Sequence, residues 1–176
     1  MNSVTEIAEQ QISIDGQKIR IREITKNDIE LEKQFVKELS AETKHRRFLC
    51  SKSSLTEKEL EDFCTIDHKQ SMAFIATIEK DNKEKMIGVS RYAESIDNNK
   101  NSREMAITVA DDWQDKGLGA ALTKQLISYA KMHGVGVMYS VDYYYNDFMR
   151  NLANELGIEH RADPDDMSLI IYQLTL

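Results

Sequence analysis

One junction constrains this chain more than any other feature. A strand ending at Val109 enters a glycine-bearing turn that opens directly into a long amphipathic helix, VADDWQDKGLGAALT over residues 109–123. Amide N–H groups at the start of a helix have no partner within it, and the helix dipole is positive at that end. A turn of this kind can hold a pyrophosphate. Gly117 and Gly119 clear side chains from the places where phosphate oxygens approach the backbone, and Lys116 adds a positive charge. Read alone, the junction is open between a turn that binds nothing and a phosphate loop of some kind. A dinucleotide loop has Asp142 in its favour, at the end of the following strand where a ribose-binding acid sits. Against it, Leu122 fills the third small position of G-x-G-x-x-G, and the preceding strand alternates where a central parallel strand would be continuously apolar. The G-x-x-x-x-G-K-[ST] pattern is absent.

The rest of the chain supplies a sheet for the junction. Residues 18–24 alternate, with Ile19 and Ile21 on one face and Lys18, Arg20 and Arg22 on the other, which predicts a half-buried strand. Residues 25–28 offer helix caps before Ile29, Leu31, Phe35, Val36 and Leu39, spaced as one helical face. A helix over 54–64 carries Thr56 as cap, Glu59 to complete a capping box and Leu55 at the staple position. Residues 71–79 and 86–96 read as antiparallel strands joined by a polar turn over 80–84. In the strand 103–109, Met105, Ile107 and Val109 share one face and Glu104, Ala106 and Thr108 the other. The junction helix runs to about residue 133, with Leu118, Leu122, Leu126 and Tyr129 on one stripe and Gly134 as its stop. A densely apolar strand over 135–141, a helix over 146–156 ended by Gly157, and a strand over 168–176 complete a mixed α/β order. The expected domain covers 18–176, behind an extension of residues 1–17 that opens with a frayed decapeptide.

Composition narrows the function. Hydrophobic residues make up 41% of the 176, enough for one sizeable core. The net charge of −7 argues against a nucleic-acid binder, which needs a basic face, and tolerates a cationic partner such as an amine. Cys50 and Cys64 lack metal-binding spacing, and His45, His68, His133 and His160 form no spaced cluster, so no metal site is expected. Cys50, beside Arg46 and Arg47, reads as structural rather than nucleophilic. The opening residues lack the basic and apolar segments of a signal peptide, and no apolar run reaches membrane-spanning length. With two free thiols, the expectation is a cytoplasmic protein with neither membrane nor nucleic acid as partner.

The spacing of Gln114, Gly117 and Gly119 just after a strand, Q-x-x-G-x-G, resembles the core motif of the GNAT superfamily of acyl-CoA N-acyltransferases. The likeness extends to EMAITVADDWQ at 104–114, to MIGVSR at 86–91, and to 40–48 with Thr43, Arg46, Arg47 and Phe48. In these stretches the chain is similar to the acetyltransferase domain of bacterial Pat-type protein lysine acetyltransferases, over about residues 18–158. The resemblance implies a GNAT-like mixed sheet with central antiparallel strands, a splayed parallel pair (103–109 and 135–141) and flanking helices. It implies an N-acetyltransferase with acetyl-CoA as acyl donor, no metal, and an amine acceptor, a protein lysine first among the candidates. A small-molecule amine acceptor and a non-catalytic acyl-CoA-binding regulator are the alternatives, and a homodimer is left open.

Site residues follow from the same resemblance. Gln114, Asp115, Lys116, Gly117, Leu118, Gly119 and Ala120 would cradle the pyrophosphate, and the backbone N–H near Val109 would polarise the thioester carbonyl. Glu104 would be the general base, acting through water; without the resemblance it reads as a solvent-facing carboxylate or a partner for Arg103 or Arg91. Asn146 would contact the coenzyme A arm, and it is also a plain helix cap. Many relatives place a tyrosine seven residues after that asparagine, as acid for the leaving thiolate. Here the position is Ala153, so the general acid is unassigned, with Tyr143, Tyr144 and Tyr145 nearby. Asp67 and His68 are expected to border the acceptor pocket, and 163–166 is an acidic turn.

Overall fold

A computed structural model describes residues 9–48, 54–95 and 101–176. Cys50 lies outside them. In chain order the elements are β1 (Gln10–Ile14), β2 (Gln17–Glu23), α1 (Ile29–Glu38), α2 (Ala41–Phe48), α3 (Glu57–Cys64), β3 (Met72–Lys80), β4 (Lys83–Glu94), β5 (Ser102–Val109), α4 (Leu118–Met132), β6 (Val137–Tyr143), α5 (Asp147–Leu156), β7 (Glu159–Ala162) and β8 (Leu169–Thr175). The strands make one sheet in the order β1-β2-β3-β4-β5-β6-β8-β7. Its pairs are antiparallel except β5 with β6.

The alternation in β2, β3 and β5 divides the core in two. On one face Ile19, Ile21, Phe74, Met105 and Val109 pack under Leu118, Leu122 and Leu126 of α4 and Met149 and Leu152 of α5. On the other, Ala73, Ile75 and Val89 pack under Phe35 and Val36 of α1. At about 25 cal/mol per Å² of apolar surface, side chains of this size each contribute about 1.5–3 kcal/mol on burial. The α3 start is as the sequence indicates: Thr56 Oγ1 accepts from the Glu59 amide at 3.3 Å and the Glu59 carboxylate takes the Thr56 amide at 2.9 Å.

Two features shape the site. The β3–β4 register passes from Ala76 opposite Gly88 to Thr77 opposite Met86, leaving Ile87 as a bulge. Its carbonyl accepts from the Ala110 amide at 2.9 Å, which ties the end of β5 to β4. The parallel pair β5–β6 holds register only at Ser102–Val137, Arg103–Met138 and Glu104–Tyr139. Beyond Glu104 the strands separate, while β6 stays paired with β8 from Val137 to Tyr143.

The structure departs from the sequence reading at short elements. The β3–β4 turn is only Asp81-Asn82, at φ 53° and 56°, so β4 begins at Lys83. The last strand residue expected from sequence, Ile96, lies outside the described residues. β1 joins the sheet through Asp15-Gly16, at φ 51° and 77°, where the sequence reading places only an extension. β7 was also unanticipated: all four of its residues are exposed, so no apolar pattern marks it. The strand expected from 135 begins at Val137, because the Gly136 and Val137 amides both bond the Asn101 carbonyl at 3.0 Å.

Candidate active site

Where β5 and β6 part, two strand edges face each other without a ladder between them, and their amides and carbonyls must be met by water or ligand. This gap is a cleft walled by Glu104 to Val109 of β5 and by Ser140, Val141 and Asp142 of β6. Thr43, Arg46 and Arg47 of α2 cover one side, and Asn146, Phe148 and Met149 of the α5 turn close the other. Thr108, 4% exposed, leaves its Oγ1 without a hydrogen-bond partner among the described residues.

Glu104 sits at the point of divergence, half-buried on the α2 side of β5. Among the described residues no hydrogen bond or ion pair occupies its carboxylate, and the Arg47 charge is close enough to feel it. Arg47 is held between the rings of Phe48, 5.3 Å from its guanidinium, and Phe63, at 5.6 Å. Burial pulls its pKa down to about 10; the Arg91 charge adds to this, while Glu32, Glu104 and Asp142 oppose it. Arg91 forms a bidentate pair with Glu32 at 3.0 Å and donates to the Phe63 carbonyl at 3.1 Å.

Asp142 stands on β6, on the other wall. Asn146 Nδ2 donates to its Oδ1 at 2.8 Å. Burial pushes its pKa up to about 6, against the Asn146 bond, the Tyr143 amide and the charges of Arg46 and Arg47. Asn146, 4% exposed, also caps α5 by accepting from the Met149 amide at 3.3 Å.

At the C-terminal end of β5 the chain turns through Asp115 (φ 57°) and Gly117 (φ 84°) into α4. The first helical bond is Ala121 N–H to the Gly117 carbonyl at 3.1 Å, so the amides of Leu118, Gly119 and Ala120 have no partner among the described residues. A Cβ on Gly119 would lie 3.0 Å from the Phe148 ring. The Gln114 amide group bridges the Val109 carbonyl at 3.1 Å and Thr43 Oγ1 at 3.2 Å. Asp111 accepts from the Ser40 amide and from the Ser40 and Thr43 hydroxyls at 2.7–2.9 Å, which fixes the start of α2 over the cleft. These features place a cleft with unladdered strand edges and a carboxylate beside a helix start with bare amides.

The model of the acetyltransferase (GNAT) family matches residues 34–158. The chain belongs to this family. It is 40% identical over 162 residues to acetyltransferase PA5475 of Pseudomonas aeruginosa, covering 92% of this chain and 86% of that one. The GNAT domain of S. lividans PAT superposes with a TM-score of 0.86 at 22% identity, covering 96% of this chain and 97% of that domain. A cAMP-binding acyltransferase from Mycobacterium smegmatis gives 0.62 at 21% identity, and the chain, 96% covered, spans 47% of its length. The mixed sheet with its splayed parallel pair is therefore the GNAT fold, as the sequence indicates.

Within this GNAT domain only part of the expected site set shares the groove, and Gly117 and Ala120 instead border a separate hollow beside Gln10, Lys124 and Glu155. Glu104, Val109, Gln114 and Asn146 line the cleft. Gly117 to Ala120 form the helix start. The Gln114 side chain is spent on protein atoms, so it positions the loop. Lys116 is paired with Asp15 at 3.2 Å and lies 5.6 Å from the Trp113 ring. Ala153 is fully buried between α5 and the core, so no phenol stands there. Asp67 and His68 are not among the cleft residues. The Asp67 carboxylate instead takes the amides of Lys69, Gln70 and Ser71 at 2.8–3.0 Å, and His68 meets Glu23 at 2.5 Å. The acidic turn closes on itself: Asp163 Oδ1 takes the Asp165 amide at 2.8 Å, and Asp166 takes Ser168. Sequence reading named Arg46 and Arg47 without a role and weighed Asp142 only as a ribose acid. Their place in the cleft comes from the parting of two strands, and the usable signal was a carboxylate four residues before a buried asparagine cap.

Proposed function

We propose that the chain transfers an acetyl group from acetyl-CoA to an amine, with a protein lysine as acceptor and Glu104 as general base. One observation carries the reading: β5 and β6 part at Glu104, which lines a cleft whose wall residues Val109 and Phe148 neighbour Gly119, where α4 opens with the bare amides of Leu118, Gly119 and Ala120. Those amides and the positive end of α4 suit a pyrophosphate, and the unladdered β5 edge suits an extended thioester arm. The amine is protonated at neutral pH and must lose a proton before it attacks. A half-buried carboxylate free of ion pairs can take that proton directly or through one water. The Val109 backbone, tied by Gln114, supports carbonyl polarisation at the far wall. For the acceptor, support comes from the Pat-like run 104–114 and the net charge of −7, which attracts lysine-rich surfaces.

The test is thiol release from acetyl-CoA against lysine peptides and small amines, followed by mass spectrometry of protein substrates. Acetyl-lysine at a few defined sites, lost in Glu104→Gln, is the expected result. Modification of free small amines with every lysine at background would transfer the activity to small molecules. Acetyl-CoA binding with no turnover of any amine would leave a non-catalytic acyl-CoA-binding module.

A further inference from the structure

We propose that Asp142 donates the proton taken up by the leaving coenzyme A thiolate. The inference rests on the acetyl-transfer reading and supplies the acid that Ala153 cannot. When the amine nitrogen bonds to the acyl carbon and the carbon–sulfur bond breaks, the electron pair leaves on sulfur. That sulfur needs one proton, while the two protons shed by the ammonium nitrogen, one before attack and one as the amide forms, pass in turn through Glu104 to solvent. Glu104 is on β5 and cannot serve both ends at once. Asp142 is the carboxyl group on the opposite wall, on β6, facing the same gap.

Its surroundings suit a donor. The groups around it are Arg46 and Arg47 from α2, Asn146 from the α5 turn, Tyr145 beside it and the phenol of Tyr172 on β8. No ion pair within 4 Å holds it among the described residues, and Asn146 Nδ2 at 2.8 Å fixes its orientation. Burial already favours its protonated form, up to about pH 6. A thioester filling the cleft removes more water and carries this further. The thiolate that forms is the stronger base, so the proton moves from carboxyl to sulfur, and Asp142 recovers a proton from solvent once the thiol leaves.

The experiment is a pH profile of kcat for the full chain and for Asp142→Asn, with acetyl-CoA affinity measured by calorimetry. The amide keeps an oxygen for Asn146, so the cap survives, which a melting curve checks. The parent should lose kcat on the alkaline side. The variant should fall by about a hundredfold at the optimum, lose that alkaline limb, and bind acetyl-CoA as the parent does. A variant with parental kcat, or one slowed by the same factor at every pH with the alkaline limb intact, overturns the assignment while leaving acetyl transfer standing. A parent that turns over no amine overturns both.

Discussion

Gly119 shows what one missing methyl group does here. A Cβ would press on Phe148 at 3.0 Å, and Phe148 lines the cleft. The same position offers one of three bare amides at the start of α4. Gly119→Glu places bulk and negative charge there, and an acid in the first turn does not harm the helix itself. Calorimetry should therefore show acetyl-CoA binding by the parent and none by the variant, with unchanged helical circular dichroism; parental binding would remove the loop from the site. Glu104→Gln keeps shape and loses proton affinity. It should lower kcat by about a hundredfold or more and leave acetyl-CoA affinity unchanged. Asp142 carries a stability signature as well. Its folded pKa, about 6, lies above its unfolded value near 4, so folding is penalised as pH rises through that window. Asp142→Asn should melt above the parent at pH 7, and the difference should vanish below about pH 4. Equal melting temperatures at pH 7 would mean that the carboxyl is solvated.

At the scale of elements, α2 is pinned over the sheet by polar and charged contacts, whereas α3 buries Leu60 and Cys64. Thr43 is the one buried residue of α2, and Asp111 holds its start through three hydrogen bonds. Below it, Glu32 and Arg91 are both nearly buried, and Arg91 stacks 4.4 Å over Phe63 of α3. Removing one partner of such a pair leaves a buried charge uncompensated. Glu32→Gln should cost about 3–5 kcal/mol in urea unfolding, where replacing both partners with apolar groups costs far less. A loss under about 1 kcal/mol would show that water reaches the pair.

For the whole molecule, acid stability follows from where carboxylates are held low. Burial works against ionisation at Asp28, Asp67 and Asp111, and is outweighed by the Arg22 pair at Asp28, by the Lys69, Ser71 and Gln70 amides at Asp67, and by Ser40 and Thr43 at Asp111. Their folded pKa values lie below the unfolded value near 4, with Asp67 at about 2. The stability they add is complete above about pH 4 and is lost as pH falls toward 2. Acid titration by circular dichroism should place the unfolding transition in that window for the parent and move it to higher pH in Asp28→Asn. An unmoved transition would assign acid unfolding to other groups.

Long periodic segments were legible from sequence because their burial is decided locally. Ile19 and Ile21, or Leu118, Leu122 and Leu126, repeat at strand or helix spacing wherever the chain goes, and the glycine turn before α4 creates bare amides in any context. β1 was readable in principle, from Asp15-Gly16 between Ile12, Ile14 and Ile19, Ile21, since only a turn with positive φ joins such strands in two residues. β7 was not readable, because an exposed four-residue edge strand is selected by its neighbour β8 and not by its own side chains. The bulge at Ile87, the parting of β5 from β6 after three registers, and the meeting of Glu104, Arg47 and Asp142 belong to the tertiary structure alone. Each depends on groups from separate elements sharing a low-dielectric space, and both the raised pKa of Asp142 and the bare carboxylate of Glu104 are properties of that space rather than of the residues.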